Sequence, residues 1–169
     1  MSSTSNNNPC LACKVDQQCC SKLSGLRLSK KEYEKYFQIL ADRLTVVEHD
    51  KMFIVSVPDK GPCPYWEQDG CRIYSARPID CRVYPYEIIE IREQKKFIEI
   101  KFRDSPSCPQ TDELKMPVEK AKMLMKQLGQ AAYGYSKPIV IIDAEDKVER
   151  TGILRRFNQI MSRFREILR

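Results

Sequence analysis

Half of this chain's eight cysteines stand in one short run, Cys10-x2-Cys13-x5-Cys19-Cys20, and the other four follow singly at Cys63, Cys71, Cys81 and Cys108. Eight thiols in 169 residues can be paired as disulfides, buried as small apolar side chains, or used to hold metal. Disulfides persist in oxidising compartments. The opening Ser/Thr/Asn stretch has neither the basic start nor the apolar run of a secretory signal, so a reducing, cytoplasmic setting is expected. Burial accounts for one or two cysteines but not for eight, six of which lie beside prolines, glycines or another cysteine. Metal ligation is the remaining use. With His49 the only histidine, a mixed Cys/His zinc finger cannot be assembled, and thiolates must dominate any site.

The spacings say how such a site is built. Cys10 and Cys13 are close enough in sequence for one loop to set two sulfurs on one ion. Cys63 lies within Gly61-Pro62-Cys63-Pro64, Cys71 follows Asp69-Gly70, and Cys108 sits between Pro106 and Pro109, which predicts ligands carried on rigid loops. On an extended backbone the neighbours Cys19 and Cys20 point to opposite sides, which suits two separate sites or one polynuclear cluster. Cys10, Cys13, Cys19, Cys20, Cys63, Cys71, Cys81 and Cys108 divide either into two four-thiolate zinc sites, or into four ligands of an iron–sulfur cluster with four left for zinc or unbound. Four thiolates on one zinc leave a local charge of about −2, so cationic donors are expected around them. Arg77 and Arg82, which flank Cys81, are the candidates, and Arg72 is a weaker one. The competing reading pairs these arginines with Asp69, Asp80 or solvent.

The rest of the chain predicts an α+β fold, a small loop-rich metal-binding domain with short antiparallel strands and two to three helices. Ser29-Lys30-Lys31-Glu32 has the pattern of a capping box, and Tyr33, Tyr36, Phe37, Leu40 and Leu44 continue it at helical spacing, predicting a helix over 30–43. Residues 45–48 and 52–57 read as strands about a turn at His49-Asp50-Lys51, which makes His49 a solvated turn residue. Residues 86–92 and 96–102 read as a hairpin about Glu93-Gln94-Lys95. Pro117 suits the first turn of a helix over 117–132, and residues 139–142 suit an edge strand. The expected organisation is a disordered tail at 1–9, a metal-binding domain at 10–142, and a basic amphipathic helix in 143–169.

That last segment repeats Ile153, Leu154, Phe157, Ile160, Met161, Phe164, Ile167 and Leu168 at helical spacing, with arginines on the other side. Residues 147–169 hold seven Lys or Arg against two Glu, which is +5 of the chain's +6. Packing on its own domain with a solvated basic face is the plainer expectation, and contact with an acidic protein, a membrane surface or nucleic acid is the alternative. No stretch approaches the roughly 20 apolar residues that span a bilayer. Dinucleotide, phosphate-loop, zinc-protease and serine-hydrolase signatures are absent from the sequence.

Taken together, Cys10/Cys13/Cys19/Cys20, Gly61-Pro62-Cys63-Pro64, Gly70-Cys71-Arg72-Ile73-Tyr74 and, most specifically, Arg77-Pro78-Ile79-Asp80-Cys81-Arg82-Val83-Tyr84-Pro85 resemble the YkgJ-like cysteine-cluster family, also called the CxxCxxCC family. The resemblance covers about residues 10 to 110. It implies that all eight cysteines are ligands, to zinc or to iron. The x5 spacing before Cys19 is longer than the family's nickname suggests, and Tyr65-Trp66 stands where the family often has Phe-Leu. Some larger relatives are similar to flagellin lysine methylases, an activity not carried over to a chain with no glycine-rich cofactor loop. The leading expectation is a metal-binding protein in a structural or redox role. The competing class is an iron–sulfur oxidoreductase component or a relative of protein-modification enzymes. Removing the basic tail should leave bound metal per chain unchanged, and metal loss on truncation would place the tail within the domain.

Overall fold

The computed structural model describes residues 18–67, 70–104 and 116–144. The expected tail at 1–9 and the basic C-terminal helix lie outside the described residues, as do Cys10, Cys13 and Cys108.

Two small sheets, each with its own apolar cluster, make up the described fold. The first begins with helix α1 (Gln18–Ser21) and strand β1 (Leu26–Ser29). Ser29 then caps helix α2 (Lys30–Glu32) as the sequence predicts: its hydroxyl accepts from the Glu32 amide at 3.4 Å, and Glu32 Oε2 accepts from the Ser29 amide at 3.0 Å. The predicted helix over 30–43 is helical throughout but changes pitch, through a π turn at Tyr33–Phe37 to a 3-10 helix at Gln38–Arg43. Along it Tyr33 stacks on Phe53 with ring centroids 4.3 Å apart, and Phe37 enters the core.

Strands β2 (Thr45–His49) and β3 (Met52–Ser56) follow at the expected places, antiparallel to each other. The turn is tighter than predicted. Asp50 and Lys51 alone form it, both with positive φ (48° and 67°), the backbone a two-residue hairpin with matching twist needs. His49 is thereby the last strand residue rather than part of the turn. Strand β1 adds to the other side of β3, giving the order β1-β3-β2. Sequence reading missed β1, because four residues are too few for a periodic signal.

Cys71, expected on a loop, has regular structure instead, as do Cys20 and Cys81. Cys20 is in α1, Cys71 is in a two-residue ribbon of β4 (Trp66–Glu67) and β5 (Gly70–Cys71), and Cys81 is in the five-residue helix α3 (Ile79–Val83). Such elements are shorter than one helical or strand period can register.

The second sheet contains β6 (Tyr86–Glu93), β7 (Ile98–Asp104) and β8 (Ile139–Asp143), in that order. β6 and β7 form the predicted hairpin, its turn shifted to 94–97 and closed by the Gln94 amide on the Phe97 carbonyl at 2.8 Å. A bulge at Ile89 interrupts their register, and the Ile89 carbonyl accepts from the Arg27 guanidinium at 3.0 Å. β8, the expected edge strand, pairs parallel to β7. Helix α4 (Val118–Tyr133) lies in the connection between them, the length of chain a parallel crossover requires. Pro117 immediately precedes α4, its carbonyl taking the Lys120 and Ala121 amides. Gly129 lets helix and sheet approach closely, since a Cβ there would stand 2.8 Å from Ile139 Cδ1. The sheet reaches Asp143, and the Ala144 amide bonds the Phe102 carbonyl, so a truncation sparing it falls after Ala144.

Leu124, Met125 and Leu128 of α4 close over Ile88, Ile98, Ile100 and Phe102 as one core, while Leu26, Leu28, Phe37 and Val55 form the other. Helix α3 joins the two: Val83 is in the first core, and Cys81 packs against the second. Among the described residues no helix is long and apolar enough to cross a membrane. Phe102 is fully buried, with Tyr86 edge-on at 5.8 Å. Phe102→Ala should therefore lower unfolding free energy by about 3–5 kcal/mol in denaturant titration, and a loss below about 1 kcal/mol would contradict this packing.

Candidate metal centre

Backbone hydrogen bonds set the first two cysteines side by side. After α1 the chain runs beside residues 57–63: the Leu23 amide bonds the Gly61 carbonyl at 2.9 Å, the Val57 amide bonds the Leu23 carbonyl at 3.1 Å, and the Cys63 amide bonds the Cys20 carbonyl at 2.7 Å. From Cys63 the chain turns at once, its carbonyl taking the Trp66 amide at 2.8 Å, and the β4–β5 ribbon brings Cys71 back opposite Trp66. Tyr65 anchors that turn. Its ring meets Phe37 edge-on at 5.6 Å, and its hydroxyl donates to the Tyr36 carbonyl. Helix α3 then supplies Cys81 from the other side.

Cys20, Cys63, Cys71 and Cys81, from four separated segments, all line one cavity of about 350 Å³. Leu23, Phe37 and Ile73 contribute apolar wall, and Arg77 and Asp80 contribute charge. Desolvation pushes the Cys81 thiol well up, with Asp80, Cys63 and Cys71 adding to the rise and Arg77 opposing it. Burial raises the Asp80 carboxyl to about 6, against the pull of the nearby Arg27 charge and of the Arg27 amide, which donates to Asp80 Oδ2 at 2.8 Å. Burial also raises the Tyr65 hydroxyl, and the Arg72 guanidinium opposes that shift. The site thus concentrates groups whose anionic forms repel one another.

The candidate arginines lie in three different settings. Arg77 lines the cavity, its guanidinium 3.7 Å from the centre of the Tyr74 ring and its Nε donating to the Tyr74 carbonyl at 3.1 Å. Arg72 pairs with Glu67 at 3.3 Å and lies over the Tyr65 ring. Arg82 is exposed on α3. His49 lines a different cavity, its exposed side chain 3.7 Å from Asp50.

A thiolate-bound metal fits this donor set in type, since zinc and iron–sulfur centres both take thiolate. Among the described residues no three His, Cys, Asp or Glu side chains are grouped tightly enough to hold an ion. Cys10, Cys13 and Cys108 fall outside that set, and for Cys19 only the backbone is described. That backbone is helical, so the extended-chain premise for Cys19 and Cys20 does not hold. Neighbours on a helix diverge by about 100° rather than 180°, and the pair no longer argues by itself for two centres.

One residue of the cavity and one that bonds the helix beside it escaped sequence reading. Asp80 was visible only as a partner for arginine, yet its carboxylate binds a backbone amide of β1. Glu32 was legible as a local cap, but its second oxygen accepts from the Ile79 amide at 2.8 Å. A contact between residues so distant in sequence leaves no periodic trace in either segment.

The family model described as "CxxCxxCC: Putative zinc- or iron-chelating domain" matches residues 9–113, a span holding all eight cysteines. Comparison with curated proteins and with solved structures gave no match. Because Tyr65 ties the cavity wall to the preceding helical run, Tyr65→Phe should cost about 0.5–1.5 kcal/mol of stability. Equal thermal midpoints for the variant and the parent chain would contradict that tie.

Proposed function

The chain belongs to the CxxCxxCC family, and from that premise we propose that it chelates zinc or an iron–sulfur cluster through Cys10, Cys13, Cys19, Cys20, Cys63, Cys71, Cys81 and Cys108, in a structural or redox role. The observation carrying the reading is the convergence of Cys20, Cys63, Cys71 and Cys81 on one cavity from four separate segments. Cysteines used only as small apolar side chains have no reason to meet in this way.

Bound zinc supplies a closed, redox-silent cross-link, and an iron–sulfur cluster supplies an electron-transfer centre. The chain's own residues prepare the place. Short backbone bonds fix Cys20 against Cys63, the ribbon returns Cys71, and Leu23, Phe37 and Ile73 supply apolar wall to the same cavity. In this reading Arg77 offsets the negative charge of the thiolates from the cavity wall, while Arg82, exposed, acts as a more distant and screened charge.

Anaerobic purification with metal and acid-labile sulfide analysis tests the reading. Colourless protein with about two zinc ions per chain supports two tetrahedral sites, and brown protein with sulfide supports the cluster. Metal-free chain with four disulfides would contradict both. Cys63→Ser and Cys81→Ser should each lower bound metal, because each removes one sulfur from the shared cavity. Unchanged metal content in both variants would exclude them as ligands.

A further inference from the structure

Helix α3 carries Cys81 but has no cap of its own. Pro78 precedes it, and no side chain of that segment takes its first amide. The first amides of a helix have no acceptor inside the helix, and a helix of five residues is far below the length that holds itself together.

The acceptor comes from Glu32, 47 positions earlier in the chain. Glu32 Oε1 takes the Ile79 amide at 2.8 Å, while Oε2 takes the Ser29 amide at 3.0 Å and the Ser29 hydroxyl at 2.8 Å. One carboxylate therefore closes the starts of two helices. A second bond runs the other way, from the Arg27 amide of β1 to Asp80 Oδ2 at 2.8 Å. With a charged acceptor at each end of the exchange, α3 cannot turn or slide against β1 and α2 without breaking a charge-assisted bond. Cys81 is the residue immediately after Asp80.

Resting on the reading that Cys81 is a ligand, we propose that Glu32 is a positioning residue for the metal centre, holding α3 so that the Cys81 sulfur faces the cavity before metal arrives. The need for such a residue is geometric. Metal shells tolerate displacements of only about 0.2 Å, and loss of an outer partner that orients a ligand typically weakens affinity about 10–100-fold.

The test uses the full chain with Co²⁺ as the probe, read by chelator competition and by its thiolate-to-cobalt absorption. Glu32→Ala should weaken Co²⁺ binding about 10–100-fold and shift the absorption bands. Glu32→Gln keeps an oxygen for the Ile79 amide and should restore most of the affinity. Ser29→Ala removes the hydroxyl bonded to Oε2 but spares the Ile79 bond to Oε1, so it should lower the unfolding midpoint of the metal-free chain and weaken Co²⁺ binding less than Glu32→Ala. If Glu32→Ala fails to fold, Ile79→Pro removes the same bond from the other side, at a first helical position where proline is well tolerated, and should weaken binding alike. Affinity and spectrum unchanged in Glu32→Ala, or in Ile79→Pro where that variant stands in, overturn the role of Glu32 and leave the metal reading intact. A parent chain that takes up no Co²⁺, zinc or iron overturns both.

Discussion

The meeting of Cys81 with the other cavity cysteines depends on a five-residue helix that cannot stand alone. Helix α3 lies where the two apolar cores meet, with Val83 sunk in one and Cys81 against the other. Isolated helices of this length do not form in water, so its conformation is borrowed from its neighbours: packing below, the Glu32 carboxylate at its first amide, and Asp80 reaching back to β1. The placement of Cys81 relative to Cys20, Cys63 and Cys71 is therefore a property of the whole domain rather than of a local loop. This differs from a small zinc finger, where a short loop pre-positions its own pair of ligands.

Ionising the Cys81 thiol is costly without a cation. Cys63, Cys71 and Asp80 each push the Cys81 thiol further up after desolvation has raised it, and the Arg77 charge opposes them. A bound metal changes the sign of that local problem, because thiolate ligands are deprotonated by the ion they bind. Charge pairing across the strands of the second sheet is conventional by contrast. The outer face of the second sheet carries Glu87–Arg103 and Glu90–Lys101 pairs across β6 and β7, partly exposed and of small net worth.

Longer elements were legible and shorter ones were not. The capping box at Ser29, the hairpin of β6 and β7, and helix α4 all announce themselves through periodicity or terminal chemistry within one segment. Strand β1, the β4–β5 ribbon and α3 span two to five residues, and their conformations are imposed by long-range bonds. The candidate site divides in the same way. Its cysteines could be named from spacing and turn residues, but their setting on helix and ribbon could not. The reach of Glu32 to Ile79 depends on how two distant segments meet, which no single stretch of sequence encodes.

The central claim is that sulfur from this chain binds a metal. X-ray absorption at the metal edge of the anaerobically purified full chain tests it most directly. The account predicts a first shell of sulfur alone, at about 2.3 Å for zinc. A shell dominated by nitrogen or oxygen would contradict it.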